Sequence, residues 1–118
     1  MKWLLALVAC AGCKNDAAPA PAPARDDRPV MPISEVKRGQ DACKAYVAKV
    51  CACAETMPAL AQPCTLARAL PEAIQVSLDV AATADSTRRD VVQANDGVRK
   101  IVKECIEETA KLPSAGCP

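Results

Sequence analysis

Eight cysteines constrain this chain more than any other feature: they stand at positions 10, 13, 43, 51, 53, 64, 105 and 117 of 118 residues. So heavy a load in so short a chain reads as a disulfide framework assembled in an oxidising compartment. The rest of the composition shows why bridges are needed. Aromatic residues amount to Trp3 and Tyr46, with no Phe, so a core must be built from Ala, Val, Leu and Ile. A core of this size rarely supplies more than about 3–5 kcal/mol net, whereas one bridge typically adds about 2–4 kcal/mol. Cross-links therefore rival packing as the source of stability.

The same composition removes whole classes of function. Fifteen Lys and Arg stand against fourteen Asp and Glu, so no strong field draws in nucleic acid or anionic lipid. The platforms on which bases stack need aromatic faces that this chain lacks; no nucleic-acid partner is expected. Histidine is absent, and with it the commonest general base and metal ligand. We expect no catalytic residues, no cofactor and a chain that is not an enzyme.

Residues 4–13 read LLALVACAGC, behind a positive Lys2. This apolar run is short of the roughly 20 residues that span a bilayer but fits the core of an export signal. Residues 1–16 resemble a bacterial lipoprotein signal peptide, in which a cysteine after small residues is acylated and becomes the new N-terminus. Two cysteines match that pattern. Cys10 has the better preceding letters, Leu7-Val8-Ala9, but cleavage there leaves a signal of nine residues. Lipidation at Cys13 leaves six cysteines downstream, an even number that can pair completely. The resemblance thus implies a signal over residues 1–12 and lipidation of Cys13, with Cys10 as the alternative. It also implies a bacterial cell-envelope location, with the domain held by lipid to a membrane and facing the periplasm or the cell surface.

Residues 13–33 then form a tether. Its stretch AAPAPAPARDDRPVMP alternates Pro and Ala, and Pro denies both its own position and its predecessor a helical conformation. An extended, solvated spacer follows.

From Ser34 to Pro118 the apolar period becomes helical, and no stretch alternates as a strand would. The fold class is all-α: a small antiparallel bundle of three to four helices stapled by disulfides. Helix one is expected from Glu35 or Asp41 to Ala54, with Ser34 as its N-cap and Val36, Cys43, Val47, Val50 and Ala54 as its buried stripe. Gly39 weakens its first turns. Tyr46 lies off that stripe's centre, predicting a half-buried ring with a wet hydroxyl and a possible interface contact. Glu55 to Gln62 connects to helix two, which Pro63 opens. Its stripe is Cys64, Ala67, Leu70, Ile74, Leu78 and Ala81, with Ser77 and Asp79 facing out. Pro71 demands a kink or a break near Leu70. Helix three is expected from Arg88 to Leu112 on Val91, Val98, Ile101, Val102, Cys105, Ile106, Thr109 and Leu112, ended by Pro113.

Six cysteines allow 15 connectivities. Helices running up, down and up put Cys51, Cys53, Cys64 and Cys117 near one end, and leave Cys43 and Cys105 deeper, each on an apolar stripe. We therefore expect Cys43–Cys105. Proximity to the connector then favours Cys53–Cys64, which leaves Cys51–Cys117.

The sharpest local motif is Cys51-Ala52-Cys53, a thiol pair that could hold copper(I) or zinc or work as a redox couple. Structural zinc wants four ligands at wider spacing, and helical residues two apart diverge by about 200°. Two structural bridges are the better reading, and no metal is expected. Ser34-Glu35-Val36-Lys37 matches the Ser-x-x-Lys of penicillin-binding enzymes but lacks their companion motifs. The function expected is a lipid-anchored envelope protein acting as a non-catalytic protein-binding module, most plausibly toward another envelope protein. The alternative is a cysteine-based metal-binding or thiol redox protein.

Overall fold

The computed structural model describes residues 30–118. Cys10 and Cys13, and the signal and tether they belong to up to Pro29, lie outside those residues. The domain is built from α-helix and short 3-10 turns, with no strand among the described residues. Its elements are α1 (Ile33–Ala54), α2 (Ala61–Ala67), α3 (Ala69–Ala82) and α4 (Arg88–Lys111), with 3-10 turns at Pro58–Leu60 and Pro113–Ala115.

Helix α1 starts earlier than the sequence suggested. Its N-cap is Pro32, which carries no capping side chain, and the Pro32 carbonyl accepts from the amides of Glu35 and Val36. Ser34 is thus already inside the helix and exposed. Gly39 does not fray the start. It is buried, and a Cβ placed there would lie 2.5 Å from Val102 Cγ2. The glycine exists so that α1 and α4 can approach closely at this level.

The expected break falls at Arg68, between α2 and α3. Pro71 is then the third residue of α3, where an amide has no intrahelical partner to lose. Pro63 is the third residue of α2 rather than its first, since α2 begins at Ala61. The connector holds the 3-10 turn Pro58–Leu60.

α4 opens on a reciprocal cap. The Asp90 amide donates to Thr87 Oγ1, while the Thr87 amide donates to Asp90 Oδ2. Pro113 ends the helix, and a left-handed Gly116 turns the tail so that the Cys117 amide reaches the Leu112 carbonyl. A side chain at Gly116 would be strained by its φ of 89°.

Helices α3 and α4 form an antiparallel hairpin. Ser77 faces α4 rather than solvent: its hydroxyl lies 3.7 Å from where a Cβ on Gly97 would stand. Its hydroxyl donates to the Ala73 carbonyl. Helix α1 runs alongside α4 in the same direction, since Glu35 meets Arg99, Gly39 meets Val102 and Cys43 meets Cys105. The core gathers Ile74, Val50, Val98, Leu60, Tyr46 and Leu112 around the buried cysteines. Ile106, assigned to the buried stripe, is instead 56% exposed beyond the edge of the α1–α4 contact.

Three bridges close the domain: Cys43–Cys105, Cys51–Cys64 and Cys53–Cys117. The first is the one that depth along the helices led us to expect. The other two correct the expected Cys53–Cys64 and Cys51–Cys117. Helical phase explains the exchange. Taking Val50 as reference, Gly39, Tyr46 and Cys53 lie about 20–60° to one side at 100° per residue, the side that meets α4. Cys51 lies about 100° to the other side and faces α2, which carries Cys64.

Candidate binding surface

Two of the residues singled out in the sequence are withdrawn from any chemistry with a ligand. Cys51 and Cys53 are each consumed in a bridge to a different partner, so neither thiol is left for a metal or a redox couple. Among the described residues no group of three or more Cys, Asp, Glu or His is placed to hold an ion.

Tyr46 is buried rather than half-exposed, with 5% of its surface accessible. That leaves little of the ring for a partner, against its expected role as an interface contact. Burial and the nearby carboxylates of Glu108 and Glu104 raise its pKa above the usual 10.0. Each of these effects disfavours the phenolate. Ser34 and Lys37 do not form a nucleophile–base pair: Lys37 instead bonds Asp41 at 2.9 Å.

A groove of about 350 Å³ opens where the chain enters α1, lined by Met31, Val102 and Ile106 and rimmed by charge. Arg99 Nε lies 3.4 Å from Glu35 and Lys103 lies 3.7 Å from Glu107. Met31 is itself buried there, so the groove's apolar floor is partly filled by the chain's own entry segment.

The outer face of the α2–α3 arm is different. Leu66, Val76 and Val80 are 65%, 56% and 45% exposed. With Ala69 and Ala73 they fall at spacings of three and four residues, 66, 69, 73, 76 and 80. At 100° per residue the α3 members span an arc of about 60°, and Leu66 extends it to about 80° if the phase carries through Arg68. Arg68 is in the right-handed helical region, φ −59° and ψ −25°, so the phase is close to continuous.

This ridge is the reverse of the arm's buried stripe, where Ala67 and Ile74 are inaccessible and Leu70 and Leu78 pack against the core. The arm is therefore apolar on two faces. Such a helix normally has neighbours on both, but among the described residues one face has none. One edge of the ridge carries two carboxylates, preceded one turn earlier by Arg68, which lies farther round the helix. Glu72 and Asp79 stand seven residues apart and about 40–60° from Val76 around the helix. Asp79 accepts from Gln75 at 2.8 Å, a bond that leaves its charge uncompensated.

Sequence reasoning followed the arm's inward stripe and missed the outward one. The signal was present in the repeat of Leu66, Ala69, Ala73, Val76 and Val80, but the inward stripe was longer and carried a cysteine.

No family model, curated protein or solved structure matches this chain.

Proposed function

We propose that this protein is a lipid-anchored component of the bacterial envelope that works as a non-catalytic protein-binding module, its partner being another envelope protein. The observation that carries the binding role is the alignment of the exposed Leu66, Val76 and Val80 along one face of the α2–α3 arm, whereas the other exposed large hydrophobes, Val30, Ile33 and Ile106, share no such face. Scattered exposed hydrophobes are ordinary, but aligned ones on a single helix face are characteristic of interaction sites. The three bridges suit this role: they brace the α1–α4 frame on which the arm packs, and Cys51–Cys64 ties down the α2 end of the ridge, so less entropy is lost when a partner docks. They also accord with an oxidising compartment outside the cytoplasm. The anchor rests on Cys13 and its preceding small residues.

The test is a photo-crosslinking residue introduced at position 76 in the natural host, with position 103 on α4, beside the entry groove, as control. The reading expects a discrete adduct from position 76 alone, in the membrane fraction. It also expects Cys13→Ser to move the protein out of that fraction or leave it unprocessed. Equal, diffuse cross-linking from both positions would dismiss the binding role. Fractionation unchanged by Cys13→Ser but altered by Cys10→Ser would move the anchor to Cys10.

A further inference from the structure

The ridge specifies more about its occupant than that it is apolar. Its members repeat at three and four residues over five positions, which is the spacing that receives another helix as knobs into holes. In a helix pair of that kind, the residues beside the seam choose the partner by charge. Here those residues are Glu72 and Asp79 on one edge. The opposite edge is taken up by the domain itself, since Leu70 packs on the core and Ser77 meets α4 at Gly97. Selection by charge is therefore left to the acidic edge.

A second copy of this chain fits poorly. Laid antiparallel along the ridge, it would set Glu72 of one copy against Asp79 of the other, an unfavourable like-charge pairing. Laid parallel, it would offer the acidic edge Leu70 and Ser77, positions already turned inward. We infer that the ridge receives an amphipathic helix of a different protein, whose apolar stripe is flanked by Lys or Arg at seven-residue intervals. This inference rests on the binding role proposed above and adds the chemistry of the partner.

Two synthetic helical peptides serve as probes. Both carry Leu at the seam positions; one has Lys and the other Glu at every flanking position. Binding is measured by fluorescence anisotropy to the full chain, purified from its host and held in nanodiscs of the host's lipids. Chains carrying substitutions in identical nanodiscs correct for peptide adsorbed to lipid. The Lys peptide should bind about three- to tenfold tighter than the Glu peptide, with the preference fading as salt rises. The double substitution Glu72→Lys/Asp79→Lys should reverse the preference, and Val76→Glu should weaken both peptides. Val76 is more than half exposed in mid-helix, and circular dichroism confirms that the variant folds; Val76→Ala supplies a milder second variant.

If both peptides bind equally and Val76→Glu still weakens them, the basic partner is wrong while the binding ridge stands. If neither peptide responds to Val76→Glu or to Val76→Ala, the ridge binds no helix and the proposed function falls with it. Self-association of the full chain that Val76→Glu abolishes would make the occupant a second copy, against the charge argument. An adduct from position 76 to residues 13–29 of the same chain would make it the tether, and would equally overturn the basic helix.

Discussion

The two ends of this bundle are held by different means. At one end, the close of α1, the short α2 and the tail after α4 are joined by Cys51–Cys64 and Cys53–Cys117. At the other, the hairpin between α3 and α4 and the entry into α1 carry no covalent link. Hydrogen bonds hold them: the Ser86 hydroxyl to the Val80 carbonyl, the Thr83 hydroxyl to the Asp79 carbonyl, and the Thr87–Asp90 cap. Between them stand Cys43–Cys105 and the close packing of Gly39 on Val102. The sequence accounts for the division. The bridged end has four prolines, 58, 63, 113 and 118, and a seven-residue helix too short to stand alone. The open end has long helices, and α4 starts there on a reciprocal cap. Cross-links appear where helical propensity fails.

That comparison can be broken or sharpened by experiment. The largest effect is expected from losing either long-range bridge, as Cys53–Cys117 closes a loop of similar length, and the variant to compare is Cys43→Ala/Cys105→Ala. This bridge joins residues 62 apart, and the loop-closure estimate gives a loss of about 4 kcal/mol. The shorter Cys51–Cys64 loop, with a separation of 13, should cost about 3 kcal/mol on the same estimate. Thermal melts of the two double variants would contradict the ledger if the short loop proved the costlier.

A smaller effect belongs to Gly39→Ala. Crowding Val102 costs about 1–3 kcal/mol, against about 1 kcal/mol gained in helix propensity. The net should be mildly destabilising. In a Val102→Ala background the same change should become neutral or stabilising, and a double-mutant cycle by urea denaturation reads the coupling.

At the open end, Thr87→Ala should cost about 1 kcal/mol. Hydrogen exchange should quicken in the first turn of α4 while the bridged end stays protected. The Thr87 hydroxyl and amide hold the Asp90 carboxyl below its ordinary pKa. Its contribution is therefore complete above the unfolded pKa and lost as pH falls through the folded one. Acid should fray this cap while the disulfides are untouched.

The smallest effect is alkaline. Tyr46 is raised by burial and by Glu108 and Glu104, so its contribution is full below 10 and is lost as pH rises through the folded value. It is the chain's one tyrosine, so phenolate absorbance reports it directly. A midpoint at or below the ordinary value would contradict its burial.

Much of this architecture was legible in the sequence. Helical periodicity, the break demanded by Pro71 and the stop at Pro113 all follow from local chemistry, and they appear where that chemistry puts them to within a few residues. Cys43–Cys105 followed from depth alone. The other two pairs did not, and the reason lies at Gly39. Read as a helix weakener, it was left out of α1's buried face, which shifted that face toward Val47 and placed Tyr46 at its edge. Counted as a contact residue, it moves the centre of the face back. Tyr46 then becomes buried and Cys53 turns toward α4 and its tail. A glycine's absence of side chain is a packing feature, but periodicity scores see it as a gap. The exposed ridge was obscured differently: α3 is apolar on two faces, and its stronger stripe masks the weaker.

The parallel register of α1 and α4 has a mechanical consequence. Load applied through the N-terminal side of the chain enters at Val30 and pulls along α1. Met31 in its groove, Glu35–Arg99 and Gly39 against Val102 are the first contacts in its path, and none of them is covalent. The peel must stop at Cys43, where the chain is welded to α4. Residues 33–42 can thus pay out from helical rise to extended chain, a gain on the order of 20 Å, while everything from Cys43 onward, the ridge included, keeps its shape. Such a tug would lengthen this protein ahead of its first bridge and leave the ridge in place.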